Sequence, residues 1–418
     1  MPEVITNDDA NYAFEIVKTI CTEVGPGLPG SSQERERAAI IKKELESHLG
    51  AGNVVVEEFT VAPDAFLSPF PGLFMLIAVL LNISMGHLAG VSPMLTAIAA
   101  LIFSIISPLL FIFEFILAFE IVDPFLKKKQ SVNVVGTLRK PGTKNVKRLL
   151  LLSGHHDSAL ENTWLRFLGY GFFFLSATFF IGLISILTMS IVQLTGLIIG
   201  NADIVRTGTL GWALLVYPCV PSIIFALFST RGGKNGGIVP GAVDNLSASA
   251  LTVAMCRFLV KNPSYIPDDT EIRFVSFGSE EAGLRGSRRY VERHLGELKQ
   301  QDARLLNFEM VAHPEITILA SDKNGAVKHS PEMVKSVVAA AERARVPYKV
   351  KSASLGTGTD AASFSQAGLK ATTLLPFKMP QQMVAFYHQK WDGPDMLSID
   401  PLLNVLKLSL EWVHSGGE

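Results

Sequence analysis

The chain is poor in cysteine and in net charge. Its 418 residues include three cysteines, which are far apart and have no metal-site spacing, so we expect reduced thiols rather than a disulfide framework. Charged residues make up 18% of the chain, and the formal net charge is -1. A chain so close to neutrality gives no electrostatic reason to expect a nucleic-acid partner.

The N-terminal residues lack the pattern of a secretory leader. The segment MPEVITNDDANYAFEIV has no basic stretch followed by an apolar one. We therefore expect no cleaved signal sequence.

Apolar residues are abundant instead, at 48% of the chain, and they concentrate in residues 66–122 and 166–230. Each block divides into two apolar segments, at residues 87–93 and 200–208. The four segments are close to or above the ~20 residues that cross ~30 Å of hydrocarbon as a helix. We predict four transmembrane helices, inserted as two hairpins. A buried core helix is the alternative for any one segment alone.

The other residues alternate between helix-like and strand-like segments, which is typical of an α/β protein. Residues 32–49 open with a capping motif and predict a helix, and residues 54–61 predict a strand. We assign residues 1–65, 123–165 and 231–418 to one discontinuous domain, residues 66–122 to the first hairpin and residues 166–230 to the second.

The even number of spans predicts the side on which this domain lies. Each hairpin returns the chain to the side that it left, so all three segments of the domain share one side. The flanks on that side carry six basic residues, Lys127, Lys128, Lys129, Arg166, Arg231 and Lys234, whereas the turns on the far side carry Arg206. This bias predicts an integral membrane protein whose larger domain is cytoplasmic.

Two imidazoles and four carboxylates spread over the α/β segments form a ligand set for two metal ions. They are His155 in SGHHDS, Asp244 in GAVDNLSAS, Glu280 and Glu281 in SFGSEEAGLRGS, Glu309 in LNFEMVA, and His388 in FYHQKWD. Histidine nitrogen and carboxylate oxygen are the ligands of catalytic zinc sites.

The histidine motif ends a predicted strand, where open α/β sheets usually bind ligands. Asp157 follows His155 by two residues and lies on the same side of an extended chain, so its carboxylate can hydrogen-bond the imidazole. His156 would point the other way, and we exclude it from the ligand set.

The two acidic motifs suggest a division of roles. Glu280 and Glu281 repel each other unless cations absorb the charge, so one glutamate can ligate while its neighbour accepts a proton from water. Asp244 precedes a predicted helix, and its carboxylate either bridges two metals or is a plain helix N-cap.

Taken together, the spaced motifs resemble the co-catalytic zinc exopeptidases of metallopeptidase family 28. The resemblance covers about residues 133–158 and residues 240–418. It implies a three-layer αβα zinc-exopeptidase fold with a mixed sheet, and two zinc ions for which cobalt or manganese can substitute.

The resemblance also implies a role for each residue. His155 and Glu309 would bind one zinc, Glu281 and His388 the other, and Asp244 would bridge them. Glu280 would be the general base, and Asp157 would orient His155.

The chain departs from the family pattern in three places. Glu309 stands where aspartate is more common, and Ala361 where relatives often have histidine, which puts the contacts near Asp360 in doubt. The two apolar blocks are insertions, one of them between the histidine motif and the Asp244 turn. Because that block begins and ends within about ten residues of the motifs, we expect the site to lie near the membrane surface.

We therefore expect a membrane-anchored di-zinc aminopeptidase that hydrolyses peptide bonds by a metal-bridged water, with Glu280 as general base. An N-acyl-amino-acid or lipopeptide amidohydrolase at the membrane surface is the alternative. A non-catalytic binding or scaffold protein is less favoured, because the chain retains every ligand. The expected partners are a peptide or acylated amino-acid substrate and the lipid bilayer; the oligomeric state stays open.

Overall fold

The computed structural model describes residues 4–84, 90–143, 145–205, 219–224, 237–353 and 357–418. The chain forms two compact units. The first comprises Met1–Pro63, Leu126–Leu160 and Ile238–Glu418, and the second comprises Asp64–Phe125 and Glu161–Gly237. The assignment of these parts to a catalytic domain and to membrane hairpins stays a prediction.

A mixed sheet forms the centre of the first unit. Its eight strands lie in the order β1-β2-β4-β3-β5-β10-β6-β9. A separate two-stranded ribbon pairs β7 with β8. The strands are β1 (Val54–Val61), β2 (Lys129–Arg139), β3 (Arg148–His155), β4 (Thr270–Phe277), β5 (Arg304–Phe308), β6 (Ile316–Leu319), β7 (Ser321–Asp322), β8 (Val327–Lys328), β9 (Tyr348–Lys351) and β10 (Lys370–Leu375).

Parallel pairing occupies the middle of this sheet. β3 is parallel to β4 and to β5, and β10 is parallel to β5. Antiparallel pairing joins β1 to β2, β2 to β4 and β10 to β6. The mixed sheet expected from the sequence is confirmed.

The described α-helices belong to both units. They are α1 (Asn7–Glu23), α2 (Ser32–Leu49), α3 (Phe70–Ser84), α4 (Pro93–Leu110), α5 (Thr163–Leu168), α6 (Gly171–Ile198), α7 (Ser247–Lys261), α8 (Arg285–Gln300), α9 (Pro331–Ala344), α10 (Ala361–Gln366), α11 (Gln381–Ala385) and α12 (Ile399–His414). The bounds predicted for α2 and β1 are confirmed.

Helices of the first unit cover both faces of the sheet. Alternate residues of a strand point to opposite faces, so those of β3 contact different helices. Leu149 and Leu151 of β3 pack in one buried cluster with Tyr290 of α8. Gly154, of the opposite parity, faces Ala248 of α7. The central strands are therefore buried on both sides, which explains the unbroken apolar run of β3.

The second unit contains α3 to α6. Hydrogen bonds from polar side chains, to a side chain and to the backbone, join two of these apolar helices. The Asn82 side chain on α3 donates a hydrogen bond to Ser190 Oγ on α6 (2.8 Å), and Gln193 Nε2 donates to the Asn82 carbonyl (3.0 Å). Hydrogen bonds of this kind join helices in apolar surroundings, where an unpaired polar group is costly.

Three described helices are long and apolar enough to cross a membrane by length and composition alone, Pro93–Ile116, Gly171–Ile198 and Ala242–Lys261. The last has 89% of its apolar window buried, against 28% and 33% for the other two, because it contains α7 and packs on the sheet. α3 is apolar but has 15 described residues, fewer than the ~20 that a span needs. Of the fourth predicted span, residues 209–229, only residues 219–224 are among those described.

Candidate metal centre

The ends of three adjacent parallel strands bring most of the candidate ligands together. His155 is the last residue of β3, Glu280 and Glu281 follow β4, and Glu309 follows β5 directly. Because the carboxyl ends of parallel strands meet at one edge, these side chains share that edge of the sheet. Asp244 lies in the turn before α7. His388 follows α11 and has a left-handed backbone, with φ of +49°.

Asp244 lies between the two imidazoles and presents one carboxylate oxygen to each. Its Oδ1 is 3.4 Å from His155 Nε2, and its Oδ2 is 3.1 Å from His388 Nε2. Glu309 Oε1 is 3.5 Å from the first imidazole, and Glu281 Oε1 is 3.1 Å from the second. Five of the six residues therefore form two half-sites that share the Asp244 carboxylate, and Glu280 is the sixth.

The donor atoms are close enough for cations. Three sets of donor atoms each lie within 4.8 Å of one another: His155 with Asp244 and Glu309, Asp244 with Glu281 and His388, and His155 with Glu280 and Glu281. The first two sets match the half-sites that the sequence resemblance implies.

Asp157 contacts both halves of the centre. Its Oδ1 is 3.3 Å from His155 Nδ1. The same carboxylate accepts backbone hydrogen bonds from Glu280 N–H and Glu281 N–H, each 3.0 Å long. One side chain therefore orients an imidazole and also fixes the backbone that carries both glutamates.

Burial disturbs the ionisation of the carboxylates. Desolvation raises the pKa of Glu309 to about 8, although His155 opposes the rise. Desolvation also raises the pKa of Glu280 well above its usual range. For Asp244 burial acts in the same direction, but contacts with His155 and His388 outweigh it and lower the pKa.

For the two imidazoles, burial lowers the pKa and the neighbouring carboxylates raise it. Burial lowers the pKa of His388, but the charges of Glu281 and Asp244 outweigh that effect and raise it to about 10. The pKa of His155 is likewise raised, chiefly by Glu280, against the effect of burial. So many carboxylates around two imidazoles demand positive charge, from protons or from cations.

The donor set fits a zinc pair. His155 is completely buried, and neither of its ring nitrogens has a well-directed hydrogen bond to any described residue. Three carboxylates nevertheless lie 3.4–3.6 Å from its Nε2. Nitrogen and carboxylate donors that converge without hydrogen-bonding one another suit a divalent ion of zinc type.

His156 lies outside the cluster. Its Nδ1 is 2.9 Å from Ser276 Oγ, and burial lowers its pKa to about 3. It is therefore a neutral residue of the core network, as its position one residue along the strand predicts.

An apolar wall borders the cavity beside the ligands. The residues that line it besides the ligand cluster are Met310, Thr357, Gly358, Thr359, Phe377, Met379, Met383 and Tyr387. Among the described residues, this lining includes no lysine or arginine.

Sequence reasoning missed two residues that hold the Asp244 turn. The Asp392 carboxylate accepts hydrogen bonds from the backbone N–H of Val243 (2.9 Å) and of Asp244 (3.1 Å). The Asn245 side chain donates to the Phe308 carbonyl and accepts from Met310 N–H. An acidic residue four positions after His388, and an asparagine beside Asp244, were the available signals.

Comparison with known proteins finds a family match for somewhat less than half of the chain. Residues 228–413 match the family model described as Peptidase family M28. Aminopeptidase YwaD of Bacillus subtilis is 28% identical over 176 residues, 42% of this chain and 34% of that protein. An aminopeptidase of Pseudomonas aeruginosa is 37% identical over 87 residues, 21% of this chain and 16% of that protein. The chain thus matches about a third or less of the length of these relatives.

Solved structures share the fold. BSAP, a zinc aminopeptidase from Bacillus subtilis, has a TM-score of 0.55 at 14% identity and covers 97% of this chain and 95% of its own. The aminopeptidase from Aneurinibacillus sp. strain AM-1 has a TM-score of 0.55 at 15% identity, with 97% and 93% covered. Fimbriiglobus ruber glutaminyl cyclase has a TM-score of 0.53 at 12% identity, with 99% and 96% covered. At these identities the similarity establishes the fold alone.

Proposed function

We propose, from the peptidase family M28 domain that residues 228–413 of this chain form, that the protein is a membrane-anchored zinc aminopeptidase. The observation that carries the proposal is the arrangement of five buried or half-buried ligands as two half-sites that share Asp244. The names of the matched aminopeptidases support the same activity.

Each half-site would hold one ion. His155 and Glu309 would bind the first zinc, Glu281 and His388 would bind the second, and Asp244 would bind both. Zinc in such a site lowers the pKa of water and stabilises negative charge on a carbonyl oxygen.

Glu280 is the residue best placed to move protons. Its carboxylate lines the cavity, and its Oε2 is 3.6 Å from His155 Nε2. This position suits a general base, which must accept a proton from water and then return it to the leaving amine. Asp157 positions this carboxylate through the Glu280 backbone N–H.

The described lining of the cavity offers no partner for a substrate with a free carboxylate. Four carboxylates line the cavity, from Asp244, Glu280, Glu281 and Glu309, and no lysine or arginine is among the described lining residues. Two zinc ions would offset these four charges, but the free carboxylate of an N-acyl amino acid would still find no cationic side chain to pair with among these residues. Aminopeptidase activity is thus favoured over the N-acyl-amino-acid or lipopeptide alternative.

The anchoring role belongs to the apolar helices of the second unit. Pro93–Ile116 and Gly171–Ile198 have apolar windows that are mostly exposed, which is what a lipid environment requires. The basic flanks support a cytoplasmic side for the larger unit. Protein that alkaline carbonate strips from membranes without detergent would refute the anchoring.

The substrate test is a panel of aminoacyl amides and the matching N-acyl-aminoacyl amides, given to the full chain purified in detergent. We expect zinc-dependent release of the free N-terminal amino acid, and loss of that activity when a chelator removes the metal. Turnover of the acylated compounds alone would replace the aminopeptidase by the amidohydrolase. Bound zinc without turnover of either would favour a scaffold.

A further inference from the structure

Glu34 is a buried carboxylate outside the ligand cluster, on α2, and its side chain reaches the turn that precedes Glu280. It is 0% exposed. Its Oε1 accepts hydrogen bonds from Ser279 N–H (2.7 Å), Ser279 Oγ (2.8 Å) and Ser131 Oγ (2.9 Å). Its Oε2 accepts one from Gly30 N–H (2.7 Å). Four donors therefore converge on a group that the reaction itself does not use.

The turn that Glu34 holds has a backbone that needs support. Ser279 has φ of +53°, a left-handed conformation that is unfavourable for a residue with a side chain. The next two backbone N–H groups, of Glu280 and Glu281, donate to Asp157. Two buried carboxylates thus bind three successive N–H groups of the turn that carries the proposed base.

We propose that Glu34 is a positioning residue for Glu280: by holding Ser279 in its left-handed conformation, it sets the direction in which the Glu280 carboxylate projects. The inference rests on the proposed function, in which Glu280 is the general base. A displacement of about 1 Å at a reacting group can cost about 100-fold in rate, so the hold on Ser279 affects turnover directly.

The alternative is that Glu34 only stabilises the fold. Desolvation raises the pKa of Glu34 to about 8, with Asp157 adding to the rise and the hydrogen-bond donors opposing it. Changing the length of the side chain at position 34 distinguishes positioning from fold stabilisation better than changing its charge does. Aspartate keeps the acid but is one methylene shorter, whereas glutamine keeps the length and one accepting oxygen for Ser279 N–H.

The experiment measures kcat, KM, zinc content and the unfolding midpoint of the full chain, with an aminoacyl amide as substrate. We expect Glu34→Asp and Glu34→Ala to lower kcat about 10- to 100-fold, with KM changed less than about two-fold. Zinc content should not change. Glu34→Gln should retain most of the turnover, although its amide nitrogen faces Gly30 N–H and lowers the midpoint.

Ser131→Ala is the matched control, because it removes one donor to Glu34 and the contact of Ser131 Oγ with Ser279 Oγ, but leaves both bonds from Ser279 to Glu34. It should lower the midpoint and leave kcat unchanged. Wild-type kcat in Glu34→Asp, or loss of zinc in the Glu34 variants, would overturn the inference alone. Inactive wild-type protein would overturn the proposed function together with it. If Glu34→Ala does not fold, the comparison of kcat between Glu34→Asp and Glu34→Gln tests the inference instead.

Discussion

At the scale of single residues, Asp157 connects the parts of the centre. Its Oδ1 lies near His155 Nδ1, and its two oxygens accept the backbone N–H groups of Glu280 and Glu281. The sequence showed only the first contact, because a spacing of two on a strand reveals a neighbour of His155 but not a turn 123 residues away. Asp157 therefore fixes a ligand and the proposed base together.

Changing Asp157 to asparagine should weaken the centre twice over. The amide nitrogen replaces one of the two accepting oxygens, so the N–H of one glutamate loses its acceptor. The neutral side chain also no longer increases the basicity of His155. We expect zinc affinity to fall about 10- to 100-fold, measured by competition with a chelator, because supporting carboxylates usually contribute that much. Asp268→Asn, at a side chain that is 86% exposed, is the control and should change nothing. Unaltered affinity in Asp157→Asn would contradict the role.

At the scale of elements, the site depends on the close packing of β3 against α7. A β-carbon at Gly154 would lie 2.4 Å from Ala248 Cβ and 2.8 Å from backbone atoms of α7. α7 begins three residues after Asp244, and β3 ends at His155, so this contact sets the distance between two proposed ligands. Glycine is required here for space.

We expect Gly154→Ala to destabilise the protein by about 1–3 kcal/mol, because overpacking forces the helix away from the strand. Gly296→Ala is the matched comparison, on the exposed face of α8 where a β-carbon meets nothing within 4 Å. That change should stabilise the protein by about 0.5–1 kcal/mol, since alanine is the better helix former. Denaturant midpoints measure both, and equal effects of the same sign would contradict the packing argument.

Elements with local signals were predictable from the sequence. α2 begins where expected because Ser31 Oγ accepts a hydrogen bond from Glu34 N–H, as its capping motif indicates. The six candidate ligands were found because each follows a strand or a turn. The supporting carboxylates Glu34 and Asp392 were not, because their partners lie far along the chain and only the sheet order brings them together.

At the scale of the molecule, apolar composition alone does not distinguish a membrane helix from a core helix. α7 lies in a segment that is long and apolar enough to cross a membrane, although less apolar than Pro93–Ile116 and Gly171–Ile198, yet it packs on the sheet of the first unit. Pro93–Ile116 and Gly171–Ile198 differ from it in exposure, which no hydropathy pattern contains. The membrane spans therefore stay a prediction, whereas the αβα unit follows from strand pairing and its helix layers.

The most direct measurement of the central claim compares Glu280→Gln with Glu281→Gln, for zinc per chain and for kcat on an aminoacyl amide. The two substitutions change adjacent residues of equal size, but we expect one to lower turnover and the other to lower zinc content. Glu280→Gln should keep wild-type zinc and lose about 100- to 10,000-fold in kcat, the usual contribution of a general base. Glu281→Gln should lose zinc from the half-site that contains His388. Undiminished turnover in Glu280→Gln, or wild-type protein that binds no zinc, would contradict the account.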